Sequence, residues 1–235
     1  MAIASAPAAP ARGLDAGILK LIALAAMTVD HAGLILLGNL EICRIIGRLA
    51  FPIFAFMIAE GCQYTHNKKR YLGQVFLLGL VCQAVYFAVS RSLYQCVLIT
   101  FSLSILMIFA LQRAQRTGSW IAAAALAAAI WVLCEWVPGL LAGWDFAVDY
   151  GFWGVMLPVL VWMCPGRWGH LSALAAGMLL LCLSMDWPVQ WFCFLALVPL
   201  YFYNGQRGAR WLKYGFYLYY PLHLAVLEGI RLLMP

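Results

Sequence analysis

Long apolar segments occupy nearly the whole of this 235-residue chain and are separated by short polar loops. Hydrophobic residues make up 66% of the sequence and charged residues only 10%, whereas ordinary soluble domains carry about 25% charged residues. So few charges cannot cover a surface that faces water. The pattern therefore predicts an all-α, polytopic membrane bundle, and it excludes soluble enzyme folds, nucleic-acid-binding modules and disordered linkers.

A membrane-spanning helix needs about 20 mostly apolar residues, because its backbone must be hydrogen-bonded within the segment. By this criterion the chain forms one transmembrane domain over residues 17–235, preceded by an Ala/Pro-rich tail, 1–16, that is predicted to be disordered. The first apolar segment lacks a convincing cleavage site, so we expect a retained helix and not a signal peptide. About nine transmembrane helices are predicted, at 17–38, 42–64, 71–90, 93–112, 119–138, 147–164, 168–185, 188–203 and 212–233.

Basic residues are concentrated in alternate loops. The positive-inside rule then predicts a cytoplasmic N-terminus and an external C-terminus. The net charge of +6 is thereby explained by topology, and no nucleic-acid partner is needed. Eleven of the fifteen basic residues fall on the predicted cytoplasmic side: Arg12, Lys20, Lys68, Lys69, Arg70, Arg113, Arg116, Arg167, Arg207, Arg210 and Lys213.

The eight cysteines are scattered, mostly within apolar segments, and they form neither a CxxC pair nor a Cys/His cluster with zinc spacing. Cysteine packs readily as a small hydrophobic residue. The sequence therefore predicts a packing role for these thiols, with no disulfide framework and no metal site.

A small set of ionisable residues lies within the predicted helices, where each costs about 2.5–3.5 kcal/mol at the centre of a bilayer. Arg44 and Arg48 are four residues apart and share a helix face. We expect Asp30 to pair with one of these arginines, His31 to face a cavity, and the set as a whole to form a polar column. The members are Asp30, His31, Arg44, Arg48, Glu60, Glu135, Asp149 and His223.

Structural explanations compete with functional ones for several of these residues. An Asp30–arginine ion pair would join the first two helices without any catalytic role. Asp149 lies at the start of a predicted helix and could act only as a cap, Glu135 could lie at the membrane interface, and His223 could satisfy backbone carbonyls near a proline. For His31 the functional explanation is favoured, because an apolar residue would pack there at lower cost.

The residue types in this set suit acyl transfer. Histidine can remove a proton from an attacking amine or hydroxyl, a carboxylate can hold the useful tautomer, and buried arginines can bind an anionic substrate group or an oxyanion. The sequence contains no GxSxG, HExxH or P-loop motif.

Four segments resemble the TraX family of membrane proteins in order along the chain. They are LKLIALAAMTVDHAG (19–33), RIIGRLAFPIFAFMIAEGCQYTHN (44–67), VDYGFWGV (148–155) and KYGFYLYYPLHL (213–224). TraX proteins are implicated in acetylating the N-terminal amine of conjugative pilins. They are distantly similar to membrane acyltransferases that use cytoplasmic acetyl-CoA and a membrane-embedded histidine.

The resemblance implies site residues in this chain. His31 is the expected base, with Asp30 beside it and His223 in the tail motif as further catalytic candidates. The implied substrate-binding residues are Arg44, Arg48, Glu60 and Asp149. The chain departs from the family within 71–87, where Gln74 and Gln83 replace an arginine and an acid, and these losses affect the expected acceptor.

The leading hypothesis is therefore an inner-membrane acetyltransferase that moves acetyl from cytoplasmic acetyl-CoA to a pilin N-terminus, or to another amine or hydroxyl, at the outer face. A proton-coupled transporter and a non-catalytic pilus or secretion assembly factor are the alternatives, although no internal repeat of the transporter type is found. Acetyl-CoA phosphates are expected to meet the basic loops, at Lys68, Lys69, Arg70, Arg207, Arg210 and Lys213.

Overall fold

The computed structural model describes residues 13–208 and 212–234 of the chain, which form helices and no β-strand. Three irregular helical segments interrupt the α-helices: a π-helical turn at Val132–Trp136 and 3₁₀ segments at Ala142–Trp144 and Pro188–Ala196. The α-helices in chain order are α1 (Ala16–Ile35), α2 (Glu41–Gly47), α3 (Ala50–Tyr64), α4 (Lys68–Ser90), α5 (Val97–Thr117), α6 (Trp120–Trp131), α7 (Val137–Leu140), α8 (Gly151–Met163), α9 (Arg167–Ser184), α10 (Leu197–Tyr201) and α11 (Leu212–Leu233).

The all-α fold predicted from hydropathy is confirmed. Within the described ranges, six helical segments are long and apolar enough to cross a bilayer. Two further apolar helices, Gly151–Met163 and Pro188–Tyr201, are shorter. The count of nine spans and the N-in/C-out orientation stay predictions. The six segments are Ala16–Ile35, Glu41–Tyr64, Lys68–Ala88, Val97–Thr117, Trp120–Leu140 and Arg167–Ser184.

The first helix is capped just before the predicted domain boundary at residue 17. Asp15 is its N-cap, and its carboxylate accepts a hydrogen bond from the amide of Ile18 over 2.8 Å. Leu14 forms a backbone bridge with Tyr203. The rest of the predicted disordered tail, residues 1–12, lies outside the described residues.

A short helix, α8, lies at the centre of the bundle and packs against α3, α5 and α9. Leu157 and Val159 are completely buried in it. Ser104 of α5 donates a hydrogen bond to the carbonyl of Val155 over 2.7 Å, which ties α5 to α8. The exterior is apolar: Ile121 is 89% exposed and Leu77 is 64% exposed. Such an apolar surface is suited to contact with lipid and is unusual for a protein surrounded by water.

A break at Arg48–Leu49 divides the second membrane segment into α2 and α3. Pro52 explains the position of the break, because proline lacks an amide hydrogen and its ring crowds the carbonyl four residues earlier, which is that of Arg48. The break places Arg48 at the junction between two helices, inside the bundle.

The long helices run in alternating directions, so the loops gather in two sets at opposite ends of the bundle. At one end, which we call the site end, the amide of Gln95 donates to the carbonyl of Ala147 over 2.7 Å and Ser92 donates to Asp145 over 2.7 Å. The other end, which we call the basic end, is formed by residues 13–15, 64–68, 112–119, 163–167 and 201–208, and it carries most of the loop cations.

Candidate functional site

A buried ion-pair cluster joins α1 to the α2–α3 junction. Arg44 Nη1 lies 2.8 Å from Asp30 Oδ1, and Arg48 Nη2 lies 3.1 Å from Asp30 Oδ2. Asp30 is 8% exposed and Arg48 4% exposed. The expected pairing is confirmed, and the carboxylate holds both arginines and not only one.

Two glycines make the approach of these helices possible. A Cβ on Gly47 would overlap the side chain of Asp30, and a Cβ on Gly33 would overlap Cβ of Cys43. The missing side chains let the backbones of α1 and α2 come close enough for the short aspartate side chain to reach both guanidinium groups.

The two arginines are engaged differently. Arg48 donates from Nε to the carbonyl of Arg44 over 3.2 Å and from Nη1 to Oε1 of Gln190 over 3.2 Å, in addition to its bond with Asp30. Arg44 keeps a buried Nε without a hydrogen-bond partner among the described residues. Both guanidinium groups lie over the ring of Trp187, at 5.1 Å for Arg44 and 4.8 Å for Arg48. Arg48 is thus held in place by several partners, while Arg44 retains donor capacity.

A histidine pair joins the first and last helices. His31 Nδ1 lies 2.8 Å from His223 Nε2, and His223 Nδ1 lies 3.1 Å from the carbonyl of Tyr219. A carbonyl only accepts, so the His223 Nδ1–H must donate to it. His223 Nε2 then accepts from the His31 Nδ1–H, and His31 Nε2 is left unprotonated. No hydrogen bond to His31 Nε2 is formed by the part of the chain that the structure describes.

Further contacts hold this pair in position. The Tyr219 ring stacks on His223 with centroids 5.3 Å apart and an interplanar angle of 5°, and the Tyr219 hydroxyl shares a 2.6 Å hydrogen bond with the hydroxyl of Thr28. The group that sets the His31 tautomer is therefore His223. The expectation that a carboxylate would do so is wrong, because the Asp30 carboxylate is taken up by the arginines.

Asp149 lies in the loop before α8 and contributes a second carboxylate to the site. Its Oδ1 accepts a 2.7 Å hydrogen bond from the Tyr94 hydroxyl, and its backbone carbonyl accepts from Thr100 over 2.8 Å. Burial raises the pKa of Asp149 to about 6, although the Tyr94 hydrogen bond and the nearby Arg48 act to lower it.

The amide of Phe152 at the start of α8 is bonded by Glu135, whose Oε1 accepts from it over 3.2 Å. Glu135 lies in the π-helical turn, two residues before α7 begins at Val137. Glu135 therefore caps a neighbouring helix, and its location at the membrane interface stays a prediction.

A cavity of about 690 Å³ at the site end brings most of the predicted residues together. Aromatic and aliphatic side chains form the rest of its wall, including Phe54, Tyr86, Trp187 and Tyr220. His223 lies behind His31 and is 5% exposed. The ionisable site residues that line the cavity are Asp30, His31, Arg44, Arg48 and Asp149.

Glu60 does not belong to this cavity. It lies near the basic end, where its Oε2 accepts a 2.8 Å hydrogen bond from the hydroxyl of Tyr203. The expected polar column is therefore wrong at this position: the register of α3 places Glu60 twelve residues, more than three helical turns, beyond Arg48.

The residues expected to bind acetyl-CoA are spread over the basic end. Lys68, Lys69 and Arg70 begin α4, and Lys68 lines a cleft there. Arg207 lies 5.9 Å from the centroid of the Tyr64 ring. Arg210 and the side chain of Lys213 lie outside the described residues.

Sequence reasoning missed four residues that complete the site: Tyr94, Tyr150, Trp187 and Gln190. Tyr150 has a φ of 62°, which is an unusual backbone conformation for a non-glycine residue. Its ring stacks on that of Phe51 with centroids 3.8 Å apart. The motif around Asp149 includes Tyr150, so a signal existed for it. Tyr94, Trp187 and Gln190 follow or precede apolar segments without any local pattern that marks them.

All eight cysteines are free; six are buried, as the packing interpretation predicts, whereas Cys96 is half-buried and Cys164 is exposed. Gln83, which stands where the family resemblance leads us to expect an acid, accepts a 3.2 Å hydrogen bond from the amide of Cys96 and so connects α4 to the start of α5. At this position the amide serves a structural role beside the cavity.

Comparisons with known proteins agree with the resemblance of the motifs. The chain is 28% identical to the "Probable fimbrial assembly protein FimC, serogroup H1" of Dichelobacter nodosus, over 92% of this chain and 95% of that protein. It is also 41% identical to the "Uncharacterized protein RP591" of Rickettsia prowazekii (strain Madrid E), over 28% of this chain and 25% of that protein. No solved structure matches the chain. The family described as "TraX protein" matches residues 15–231, and the chain therefore belongs to the TraX family.

Proposed function

We propose that this protein is an inner-membrane acetyltransferase of fimbrial or pilus assembly. It transfers the acetyl group of cytoplasmic acetyl-CoA to an amine, or to a hydroxyl, of an exported acceptor such as a pilin subunit. The observation that carries the proposal is the His31–His223 pair, which leaves an unprotonated Nε2 on a histidine that lines a large cavity. The fimbrial assembly name of the Dichelobacter nodosus relative supports the process.

In the proposed reaction, His31 acts as the general base. The acceptor nitrogen or oxygen attacks the thioester carbonyl while its proton moves to His31 Nε2, and the C–S bond then breaks to release CoA thiolate. The proton on His31 leaves with the CoA thiol, so the enzyme returns to its starting state. His31 Nδ1–H stays bonded to His223 throughout, which keeps the same nitrogen directed to the acceptor.

The arginines have separate tasks in this scheme. Arg44 Nε, buried and without a partner among the described residues, can donate to the oxyanion that forms as the carbonyl is attacked. Arg48 is engaged by Asp30 and Gln190 and keeps Asp30 and α1 in position. Asp30 thus organises the cation pair and does not touch the reacting atoms.

The test uses the full-length protein, purified in a mild detergent and supplied with [1-¹⁴C]acetyl-CoA and the fimbrial subunit of its host. Label should appear on the subunit with the wild-type protein and be lost by at least 100-fold with His31→Ala. His66→Ala is the matched control, because His66 is exposed in the loop between α3 and α4 and should keep full activity.

Two outcomes would contradict the proposal. Retained transfer by a folded His31→Ala protein would remove His31 from the role of base. Absence of acetyl-CoA binding and transfer by the folded wild-type protein would favour a non-catalytic assembly factor, or a proton-coupled transporter if proteoliposomes then show proton flux.

A further inference from the structure

A second cavity, of about 370 Å³, lies at the basic end between the α3–α4 corner and the last turns of α5. It is separate from the cavity that contains His31, and the two share no lining residue. Trp162, near the end of α8, forms part of its wall. The polar side chains around it are Gln63, Thr65, Lys68, Gln112, Gln115 and Arg116.

Two cations from different helices meet in this cavity. Lys68 comes from the first position of α4 and Arg116 from the last turn of α5. No acidic residue lines the cavity, and neither cation forms a salt bridge within the part of the chain that the structure describes. Lys68 Nζ instead lies 5.2 Å from the centroid of the Phe109 ring. Two like charges without a counter-ion repel each other, so an anion that bridges them is favoured.

Gln112 adds an independent indication of a ligand. Its Nε2 donates to the carbonyl of Cys62 over 3.3 Å, while its Oε1 is buried and accepts no hydrogen bond from the described residues. A buried acceptor without a donor is costly, at about 1–3 kcal/mol. A ligand with an N–H or O–H group beside its negative charge would supply the missing donor.

We propose that this cavity is a phosphate-binding subsite that holds the nucleotide end of acetyl-CoA. The inference rests on the proposed function and deepens it. Lys68 and Arg116 pair with phosphate oxygens, and Gln112 Oε1 accepts from an amide or hydroxyl group of the same molecule. Of the six basic residues that the sequence suggested for binding acetyl-CoA phosphates, this assignment keeps only Lys68. It adds Arg116, Gln112 and Trp162 to the proposed binding site.

The basic end offers matched controls for this proposal. Lys69 follows Lys68 in α4, is exposed and does not line the cavity. Arg113 lies one turn before Arg116 in α5, is also exposed and is likewise outside the cavity. If the cations served only to orient the chain in the membrane, all four would be equivalent toward a phosphate ligand.

The experiment measures equilibrium binding of radiolabelled acetyl-CoA to the full-length protein in a neutral detergent. We expect Lys68→Gln and Arg116→Gln each to weaken affinity about tenfold or more, because each removes a charge-assisted contact. Lys69→Gln and Arg113→Gln should stay within about twofold of the wild type. Lys68→Arg, which keeps the charge, should retain most of the affinity, and a size-exclusion profile identical to that of the wild type shows that each variant is folded.

A second measurement identifies the source of the phosphate. CoA and dephospho-CoA should compete with acetyl-CoA, whereas pantetheine, which lacks phosphate, should not. Acidic phospholipid could offer the same group, so the protein is also placed in nanodiscs of phosphatidylcholine with or without phosphatidylglycerol.

The outcomes separate the subsite from the proposed function. If all four glutamine variants bind acetyl-CoA with the affinity of the wild type, the proposed subsite is wrong, while the acetyltransferase proposal is unaffected. Wild-type protein that binds no acetyl-CoA but retains phosphatidylglycerol through Lys68 and Arg116 would overturn the assignment to the acyl donor. If neither acetyl-CoA nor phosphatidylglycerol binds through Lys68 and Arg116, the cavity is not a phosphate-binding site.

Discussion

His31 of the first helix donates its Nδ1–H to Nε2 of His223 in the last helix, over 2.8 Å. The two residues are 192 positions apart in sequence, so this contact fixes how the ends of the bundle meet as well as the tautomer of His31. A chain of hydrogen bonds runs from the His31 ring to the His223 ring and on to the carbonyl of Tyr219, and it leaves His31 Nε2 unprotonated and available to a substrate.

Substitution of His223 should affect turnover more than binding. In His223→Phe the His31 tautomer is no longer set, and kcat should fall by roughly 100-fold or more while the KM for acetyl-CoA changes little. His223→Gln, whose amide oxygen can accept from His31 Nδ1–H, should retain more activity than the Phe variant. Steady-state kinetics with the purified protein checks this, and a change confined to KM would argue against a role for His223 in positioning His31.

Substitution of Gly47 should disrupt the ion-pair cluster. Its new Cβ would overlap Asp30, so Gly47→Ala should destabilise the protein by about 1–3 kcal/mol. Gly73→Ala in α4 is the control, because no atom lies within 4 Å of a Cβ at that position. Thermal unfolding in detergent would measure both. Equal melting temperatures for the two variants would show that α1 and α2 leave room for a Cβ at Gly47.

Loss of the buried Asp30 charge should be far more costly than loss of an exposed one. Asp30→Asn leaves Arg44 and Arg48 without their counter-ion, at a cost of about 3–5 kcal/mol. The Glu228–Arg231 pair of α11 is more exposed, and Glu228→Gln should cost less than about 1 kcal/mol. Equilibrium unfolding of both variants tests the contrast. Similar losses would mean that water reaches Asp30 freely.

The raised pKa of Asp149 has a consequence for stability. Its pKa of about 6 lies above the ordinary value of 3.8, so between these values the folded protein binds the proton more readily than the unfolded chain does. The contribution of Asp149 to stability therefore falls as pH rises from about 4 to about 6.

Asp149→Asn removes this dependence. The melting temperature of the variant relative to the wild type should rise across that pH window and stay level above it. Melting curves in buffers from pH 4 to pH 8 would measure the difference, and a difference that does not change with pH would contradict the raised pKa.

Much of the architecture could be predicted from the sequence, because lipid imposes simple requirements. Apolar length predicted the helices, since a backbone in a membrane must be hydrogen-bonded within its own segment. The helical spacing of Arg44 and Arg48 predicted that they share a face and that Asp30 pairs with one of them, and the structure shows that Asp30 pairs with both.

Contacts between distant segments were decided only by the tertiary structure. The sequence did not identify the group that orients His31, and the packing of α11 against α1 gives that role to His223. The close approach at Gly47 lets Asp30 reach both arginines. The expected polar column included Glu60, which the length of α3 carries to the opposite end. Hydropathy and charge spacing act along one helix, and they determined the membrane fold and the list of candidate residues. The choice of partner for each candidate depends on which helices touch, and that is set by the packing of small residues far apart in the chain.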